Sequence, residues 1–255
     1  GERGDDNALQ LKHGAALFLE KKNRAQFPAI VVFPQCARED YWAHVDRMGD
    51  GMFKYPFYAE PRTSLGLTLE LLDKIIAEEG VDEDRLYLMG LSMGGMGTFE
   101  TLTRLPNRFA AAAPICGGGN TNLAKLYAQN TPLWIFHGAE DVVVSPDLSR
   151  AMYERLQSLG ANVKYTEYPG VNHNSWENAF AEPDLLPWLF AQKRENEVLR
   201  YQTEVFEDVE KSTHFYAFKD NEELLFDFYQ PEGDELAERP LLLYVHGGGF
   251  SGGQR

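Results

Sequence analysis

Short apolar runs alternate with amphipathic stretches along residues 1–194 of the chain. The runs have the length and the β-branched or aromatic content of buried strands, and they fall at 29–33, 84–89, 109–114 and 132–137; a further strand is predicted at 163–168. Apolar residues at helical spacing predict helices at 64–79, 97–104, 146–159 and 176–192. An irregular loop is predicted at 35–61, which is rich in aromatic residues, glycine and proline. Strands that alternate with helices predict an α/β fold, with a mostly parallel sheet and helices on both faces.

The pattern changes after residue 194. A charged stretch without clear periodicity comes first and indicates a linker. Three apolar runs follow, at 214–218, 224–229 and 240–245. The first two flank a short polar turn and predict a hairpin, and the third runs directly into His246-Gly-Gly-Gly-Phe250. The chain is therefore predicted to have three portions, which are a main body at 1–194, a linker at 195–211 and a strand-containing tail at 212–255.

One motif in the main body has the form G-x-S-x-G. Gly90, Ser92 and Gly94 lie between an apolar run and a helix-compatible segment. In such a motif the serine occupies a sharp strand-to-helix turn with strained backbone angles, and flanking glycines let the strand and the helix pass closely. The turn exposes the serine Oγ and leaves the N–H of Met93 available to an oxyanion. The sequence therefore predicts a nucleophilic serine at position 92.

A serine hydroxyl needs a base to take its proton and an acid to orient that base. The run at 132–137 is followed by Asp141, and the run at 163–168 is followed by His173. The carboxyl ends of parallel strands meet at one edge of a sheet, so we expect both side chains to lie near Ser92. Their order along the chain is one of the three known for serine hydrolases. We therefore interpret Ser92, Asp141 and His173 as a catalytic triad.

Several neighbouring residues are alternatives to these assignments. His137 also follows a strand, but its place before a glycine suits a role in bracing the loop. Glu140 could replace Asp141 as the acid, whereas Asp147 is better explained as a charge in the first turn of a helix. No spacing of histidine, cysteine or carboxylate residues resembles a metal site, and no phosphate or dinucleotide loop is present in the sequence. We therefore expect no cofactor and no metal.

Composition restricts the partners. The 255 residues are 44% hydrophobic and 13% aromatic, as in soluble globular proteins, and the net charge of −15 disfavours binding to nucleic acid or to an anionic membrane. No apolar run is long enough to span a bilayer. The two cysteines, Cys36 and Cys116, are expected to be buried and not joined to each other. The chain opens at Gly1 without a methionine, so we expect further residues upstream and leave its localisation open between cytoplasmic and secreted.

The motifs that carry the predicted triad resemble those of the α/β-hydrolase superfamily. They read Gly-Leu-Ser-Met-Gly-Gly from Gly90, His-Gly-Ala-Glu-Asp from His137 and Gly-Val-Asn-His ending at His173. Across 1–194 the sequence is similar to phospholipase/carboxylesterase-like and feruloyl-esterase-like members. In those relatives the segment that begins at Gly1 follows a strand ending in His-Gly-Ala, which supplies half of the oxyanion hole. That strand is not in the sequence.

The tail resembles a different part of the same superfamily, because 224–254 is similar to the start of an HGGG-type esterase. This resemblance implies that N–H groups of Gly248 and Gly249 bind an oxyanion together with that of Met93. It further implies that the tail completes the hydrolase sheet, either within one chain, as in a circular permutant, or by strand exchange in a homodimer. In the main body, Gln35 and Trp42 match a loop that borders the substrate pocket in such enzymes, although Trp42 is equally well explained as a loop anchor.

The expected function is hydrolysis of short-chain aliphatic or aryl carboxylic esters through an acyl-enzyme. Two alternatives remain open from the sequence. One is a peptidase of the prolyl-oligopeptidase type, which usually carries a propeller domain that this chain lacks. The other is an inactive hydrolase fold used for binding or assembly.

Overall fold

A computed structural model describes residues 2–48, 52–194, 209–219 and 222–231, the last two ranges by their backbone alone. The chain divides into two compact units, Gly1–Asn196 and Glu197–Arg255. The division between the units lies two residues beyond the change of sequence pattern at residue 194.

The first unit contains two short strands, a parallel sheet and seven helices among the described residues. The strands are β1 (Asp46–Arg47), β2 (Phe53–Lys54), β3 (Tyr87–Leu91), β4 (Ala111–Ile115), β5 (Leu133–Gly138) and β6 (Val163–Tyr168). The α-helices are α1 (Ala15–Leu19), α2 (Lys21–Gln26), α3 (Thr63–Glu78), α4 (Met93–Arg104), α5 (Pro146–Ser158), α6 (Trp176–Ala181) and α7 (Leu185–Ala191). Short 3-10 turns cover Leu9–Leu11, Glu83–Arg85 and Ala124–Leu126.

The sheet has the order β3-β4-β5-β6, and every pairing is parallel. Successive residues of a strand point to opposite faces, so each strand serves two core layers. Ala112 and Ile135 pack with α4 and α5 on one face, whereas Ala113 and Phe136 pack with α6 and α7 on the other. Burial on both faces explains why β4 and β5 are almost entirely apolar in sequence. The predicted parallel α/β sheet, covered by helices on both faces, is confirmed.

The strand predicted at 29–33 is wrong. The segment forms no strand, and Ile30 and Val32 are 57% and 42% exposed. Within the described part of the chain, no backbone hydrogen bond involves residues 28–34. A cavity of about 760 Å³, lined by apolar side chains of both segments, lies between 28–34 and β3. An apolar run becomes a strand only when a neighbouring strand accepts its hydrogen bonds, and β3 lies across the cavity.

Two boundaries around the predicted nucleophile also differ from expectation. The strand predicted at 84–89 is β3, which starts at Tyr87 after a 3-10 turn over Glu83–Arg85. The helix predicted from Gly97 is α4, which already begins at Met93. Three glycines in its first turns lower the apparent helix propensity of this stretch, and packing against β3 and β4 outweighs that cost.

The other helix and strand predictions in the first unit are confirmed to within three residues. Helix α5 begins with Pro146 behind the N-cap Ser145 and ends before Gly160, which has a φ of 73°. Both cysteines are buried and free, as expected. In the described residues, no helix is long and apolar enough to cross a membrane.

The described part of the second unit is one antiparallel hairpin, β7 (Val209–Lys219) and β8 (Glu222–Pro231). Lys219 pairs with Glu222, so the predicted hairpin pairing is confirmed, while β7 starts inside the predicted linker. The predicted strand at 240–245 and the glycine loop after it lie outside the described residues. Completion of the hydrolase sheet by the tail therefore stays a prediction.

Candidate active site

Ser92 occupies a sharp turn between β3 and α4. Its backbone angles are φ 54° and ψ −117°, a strained combination for a residue with a side chain. The Ser92 N–H donates to the carbonyl of Ile115 at 2.8 Å, which ties the turn to the end of β4. A Cβ atom on Gly90 would overlap the carbonyl group of Gly94, whereas a Cβ on Gly94 would meet nothing within 4 Å. Only the first of the two motif glycines is therefore needed for the close strand–helix approach.

The structure brings the three predicted triad residues together. Ser92 Oγ lies 2.8 Å from His173 Nε2, and His173 Nδ1 lies 2.7 Å from Asp141 Oδ2. Asp141 is on the loop after β5 and His173 on the loop after β6, so adjacent strands place the two side chains at the same edge. The side chain of His173 is 19% exposed and that of Asp141 is fully buried. The line of hydrogen bonds therefore runs from a partly accessible hydroxyl to a buried carboxylate.

The carboxylate of Asp141 is held by the backbone as well as by histidine. Its Oδ1 accepts the N–H groups of Val143 and Val144 at 2.8 and 2.9 Å. Burial alone would raise the pKa of Asp141. Hydrogen bonds from His137, His173 and the two N–H groups outweigh burial and hold that pKa well below its usual range. Asp141 is therefore ionised at neutral pH and can stabilise a positive charge on His173.

The alternative residues occupy other positions. Glu140 is exposed, and Asp147 is an exposed residue in the first turn of α5 that pairs with Arg150 at 2.6 Å. His137 is fully buried behind Asp141, with its Nε2 at 2.9 Å from the carbonyl of Val144. His137 has no described contact with Ser92, which agrees with the predicted bracing role.

Two contributors to the site were not found from the sequence. Asn172 Oδ1 accepts the N–H of His173 at 2.7 Å and the N–H of Val142 at 3.2 Å, so it joins the histidine loop to the acid loop. Ser149 Oγ, on α5, lies 2.7 Å from His137 Nδ1. Asn172 had a local signal, because asparagine commonly accepts nearby backbone N–H groups in loops. Ser149 had none, since a serine on a helix face has no distinctive spacing.

The remaining predicted site residues lie in different surroundings. The N–H of Met93 is in the first turn of α4, where a helix offers no carbonyl to it. Gly248 and Gly249 lie outside the described residues. The amide of Gln35 contacts the Asp6 carboxylate at 2.9 Å and the N–H of Asn7 at 2.7 Å, so it braces the N-terminal loop. Their roles toward a substrate stay predictions.

Trp42 packs against the helix that follows the nucleophile. A Cβ atom on Gly97 would lie 2.5 Å from Trp42 Cβ, so the two residues are in close contact. Trp42 also lines the cavity beside β3. This placement agrees with the anchor interpretation, and a contact with substrate stays a prediction.

One group of side chains has the spacing of metal ligands. Ligand atoms of Cys116, Asp141 and His173 lie within 4.8 Å of one another. Burial raises the pKa of the Cys116 thiol to about 12, so the thiol is protonated at neutral pH. The facing atoms of Asp141 and His173 already bind each other. The group is therefore a poor metal site, and its Asp141 and His173 side chains are better explained as members of the hydrogen-bonded line from Ser92 to Asp141.

Residues 62–182 match the family described as Phospholipase/Carboxylesterase. The chain is 36% identical over 76 residues to a bifunctional acetylxylan esterase/xylanase from Neocallimastix patriciarum, covering 30% of this chain and 11% of that protein. It is 32% identical over 122 residues to acyl-protein thioesterase 1 from Neurospora crassa, covering 44% and 49% of the two chains. The chain thus spans half or less of these relatives.

Solved structures give the same assignment. A crystal structure described as a thermostable esterase is 33% identical with a TM-score of 0.68, and the match covers 76% of this chain and 52% of that one. SOBER1 from Arabidopsis thaliana, at 17% identity and a TM-score of 0.51 over 74% of this chain and 94% of its own, shares the fold. The motifs, the parallel sheet and these matches agree: the chain has the α/β-hydrolase fold, and its sequence is similar to esterases and thioesterases.

Proposed function

We propose that the protein hydrolyses carboxylic esters through an acyl-enzyme formed on Ser92. The observation that carries the proposal is the unbroken line from Ser92 Oγ through His173 to the Asp141 carboxylate, with contacts of 2.8 and 2.7 Å. This is the arrangement that a hydroxyl nucleophile, its base and an orienting acid require. The family match over residues 62–182 supports the same class of reaction.

The proton moves along this line. Ser92 Oγ attacks the ester carbonyl carbon while its proton passes to His173 Nε2, and the carbonyl oxygen becomes negative. Asp141 stabilises the resulting imidazolium and keeps Nδ1 protonated. As the tetrahedral intermediate collapses, the C–O bond to the alcohol breaks and His173 returns the proton to the leaving oxygen. Water then repeats the cycle on the acyl-enzyme, which releases the acid and restores the serine.

The oxyanion requires donors that the reacting carbonyl can reach. Met93 N–H is the first, since it lies directly after the nucleophile at the start of α4. The second is proposed from the sequence alone as the N–H of Gly248 or Gly249. This second donor requires that the tail reach the site. We therefore also propose that the strand at 240–245, from the same chain or from a second copy, completes the sheet.

Truncation after Arg194 tests the proposal for the tail. Loss of one oxyanion donor lowers kcat by about 100-fold to 1000-fold in comparable enzymes, and an unpaired apolar sheet edge promotes aggregation. We expect the truncated chain to be aggregated or nearly inactive, as measured by light scattering and ester turnover. A soluble truncation with full activity would refute the contribution of the tail.

Small acyl or aryl groups are the proposed substrates. The indole of Trp176 stands edge-on to the His173 ring at a centroid distance of 5.5 Å, which puts an aromatic surface beside the base. Aromatic rings favour such edge or offset contacts with flat groups. A relative whose name includes acetylxylan esterase supports a short acyl group.

A series of p-nitrophenyl esters from acetate to longer acyl chains tests the function. We expect turnover that is highest for the short acyl groups and is lost in Ser92→Ala. Ser158→Ala is a matched control, because Ser158 is an exposed serine at the end of α5 whose hydroxyl contacts only Arg155 in the described structure. A folded protein that is inert across the whole series would contradict the proposal and favour a binding role.

A further inference from the structure

His137 is a fully buried imidazole with hydrogen-bonding partners on both ring nitrogens. Its Nδ1 lies 2.7 Å from Ser149 Oγ, and Ser149 Oγ lies 2.9 Å from the carbonyl of Gly117. Its Nε2 lies 2.9 Å from the carbonyl of Val144 and 3.1 Å from Asp141 Oδ2. His137 therefore contacts the same carboxylate oxygen that binds His173.

The hydrogen atoms of this network can be assigned from the chemistry of the partners. A carbonyl and an ionised carboxylate only accept, so the Nε2 of His137 must carry a hydrogen and donate to Val144 and Asp141. The Nδ1 side has two solutions. Ser149 either donates to Gly117 and accepts from Nδ1–H, or donates to an unprotonated Nδ1. In both solutions Nε2–H points at Asp141.

This hydrogen bond completes the coordination of the Asp141 carboxylate. A carboxylate has about four acceptor positions on its two oxygens. Oδ1 takes the N–H groups of Val143 and Val144, and Oδ2 takes Nδ1–H of His173 and Nε2–H of His137. With all four positions filled, the carboxylate has no freedom to rotate away from His173. Loss of His137 would leave one buried position of Oδ2 without a donor.

We propose that His137 is a positioning residue for the reaction, acting through Asp141 rather than on the substrate. Its Nε2–H fixes the Oδ2 atom in line with His173 Nδ1, and Val144 and Ser149 fix the imidazole in turn. The inference rests on the proposed esterase function for its kinetic consequence, but the geometry it claims can be measured without turnover.

Three substitutions at His137 separate a hydrogen bond from mere packing. Glutamine can place its amide nitrogen near the Nε2 position, asparagine can place one near the Nδ1 position, and leucine has no donor. A displacement of a catalytic group by about 1 Å can cost about 100-fold in rate. We expect His137→Leu and His137→Asn to lose about 100-fold in kcat with little change in KM, and His137→Gln to stay within about 10-fold of wild type. Ser149→Ala removes the Nδ1 partner and the contact with the Gly117 carbonyl but leaves Nε2–H in place, so it should resemble His137→Gln.

The second readout is the strongly downfield proton NMR signal of the Nδ1–H hydrogen between His173 and Asp141, assigned by its loss in His173→Gln. We expect the signal in wild type and in His137→Gln, and its loss or a large upfield shift in His137→Asn. If His137→Leu does not fold, the comparison of His137→Gln with His137→Asn still tests whether the hydrogen bond from Nε2 is required. Equal kcat values and equal spectra for these two would overturn the proposal. An inert wild type that nevertheless shows the expected signals would refute the esterase function and leave the positioning role intact.

Discussion

The loops at the carboxyl edge of β4, β5 and β6 differ sharply from the segment 2–62 in how they are held. At the edge, parallel strands set the spacing and hydrogen bonds between loops fix each side chain, as Asn172 does for the loops of Asp141 and His173. In the described part of the segment 2–62, a large cavity separates 28–34 from the sheet, and other residues are held by a small apolar cluster around Ala43 and by polar contacts. Asp40, for example, binds the Arg62 side chain and the N–H of Ser64, both at 2.7 Å.

This difference explains which features were readable in the sequence. In a site built from consecutive strand ends, each functional residue follows an apolar run that predicts a strand. The position of the residue after that run is therefore enough to place it at the edge of the sheet. A segment that depends on a distant strand has no such signal.

The largest effect is expected at His173. His13 is its matched control in the other region, because the rings of both histidines lie beside the indole of Trp176. His173 contacts Ser92, whereas His13, in the first segment, lies at a ring distance of 5.0 Å from Trp176 and pairs with Glu2. His173→Ala should lower kcat by about 10⁶-fold, since a triad acts as a unit. His13→Ala should change kcat by less than about 3-fold, because in the described structure His13 contacts Trp176 and Glu2 but none of the three triad residues. Steady-state kinetics on p-nitrophenyl acetate measure both, and a more severe His13→Ala would mean that the base is wrongly assigned.

Asp141→Asn comes next. Asparagine retains the shape but loses the charge and offers a donor to partners that are themselves donors. In comparable enzymes such a change costs about 10⁴-fold in kcat, and we expect a loss of that order with KM nearly unchanged. Glu140→Gln is the matched control, because Glu140 is the adjacent, exposed carboxylate. A control that is as impaired as Asp141→Asn would show that the wrong acid has been chosen.

The two glycines of the elbow should respond in opposite directions. A methyl group on Gly90 overlaps the backbone of Gly94, so Gly90→Ala should destabilise by about 3 kcal/mol or more. Gly94 lies in helix α4 with open space around its Cβ position, so Gly94→Ala should be neutral or stabilise by up to about 1 kcal/mol. Urea unfolding curves measure both free energies. Similar values for the two variants would contradict the close approach described at the elbow.

A smaller effect is expected from Asp40 in the first segment. Burial alone would raise the pKa of Asp40, but hydrogen bonds from Ser64, Tyr41 and Arg62 lower it to about 2. A lowered folded-state pKa stabilises the fold above the unfolded value of about 4, and this contribution disappears as the pH falls toward 2. Asp40→Asn should therefore reduce the free energy of unfolding at pH 7 by about 2 kcal/mol. The difference from wild type should shrink between pH 4 and pH 2, and a constant difference across that range would refute the assignment.

Particular residues show how far the sequence could be read. The five-residue glycine–serine motif and the acid and histidine after later strands were enough to predict the fold class and to bring Ser92, Asp141 and His173 together. The run at 29–33 was misread because strand formation depends on a neighbour and not only on apolar content. Ser149 was missed because it lies on a helix and contacts His137 at the end of a strand, twelve residues earlier in the chain. Long-range contacts of this kind leave no local pattern.

The proposed mechanism depends on Ser92 being an activated nucleophile. Labelling with a fluorophosphonate tests it directly, because this reagent attaches covalently to a serine only where a base takes its proton. We expect one label per chain, located on Ser92 by peptide mass spectrometry, and no label in Ser92→Ala or in His173→Ala. A folded wild-type protein that remains unlabelled, or a label that persists in Ser92→Ala, would contradict the proposed mechanism.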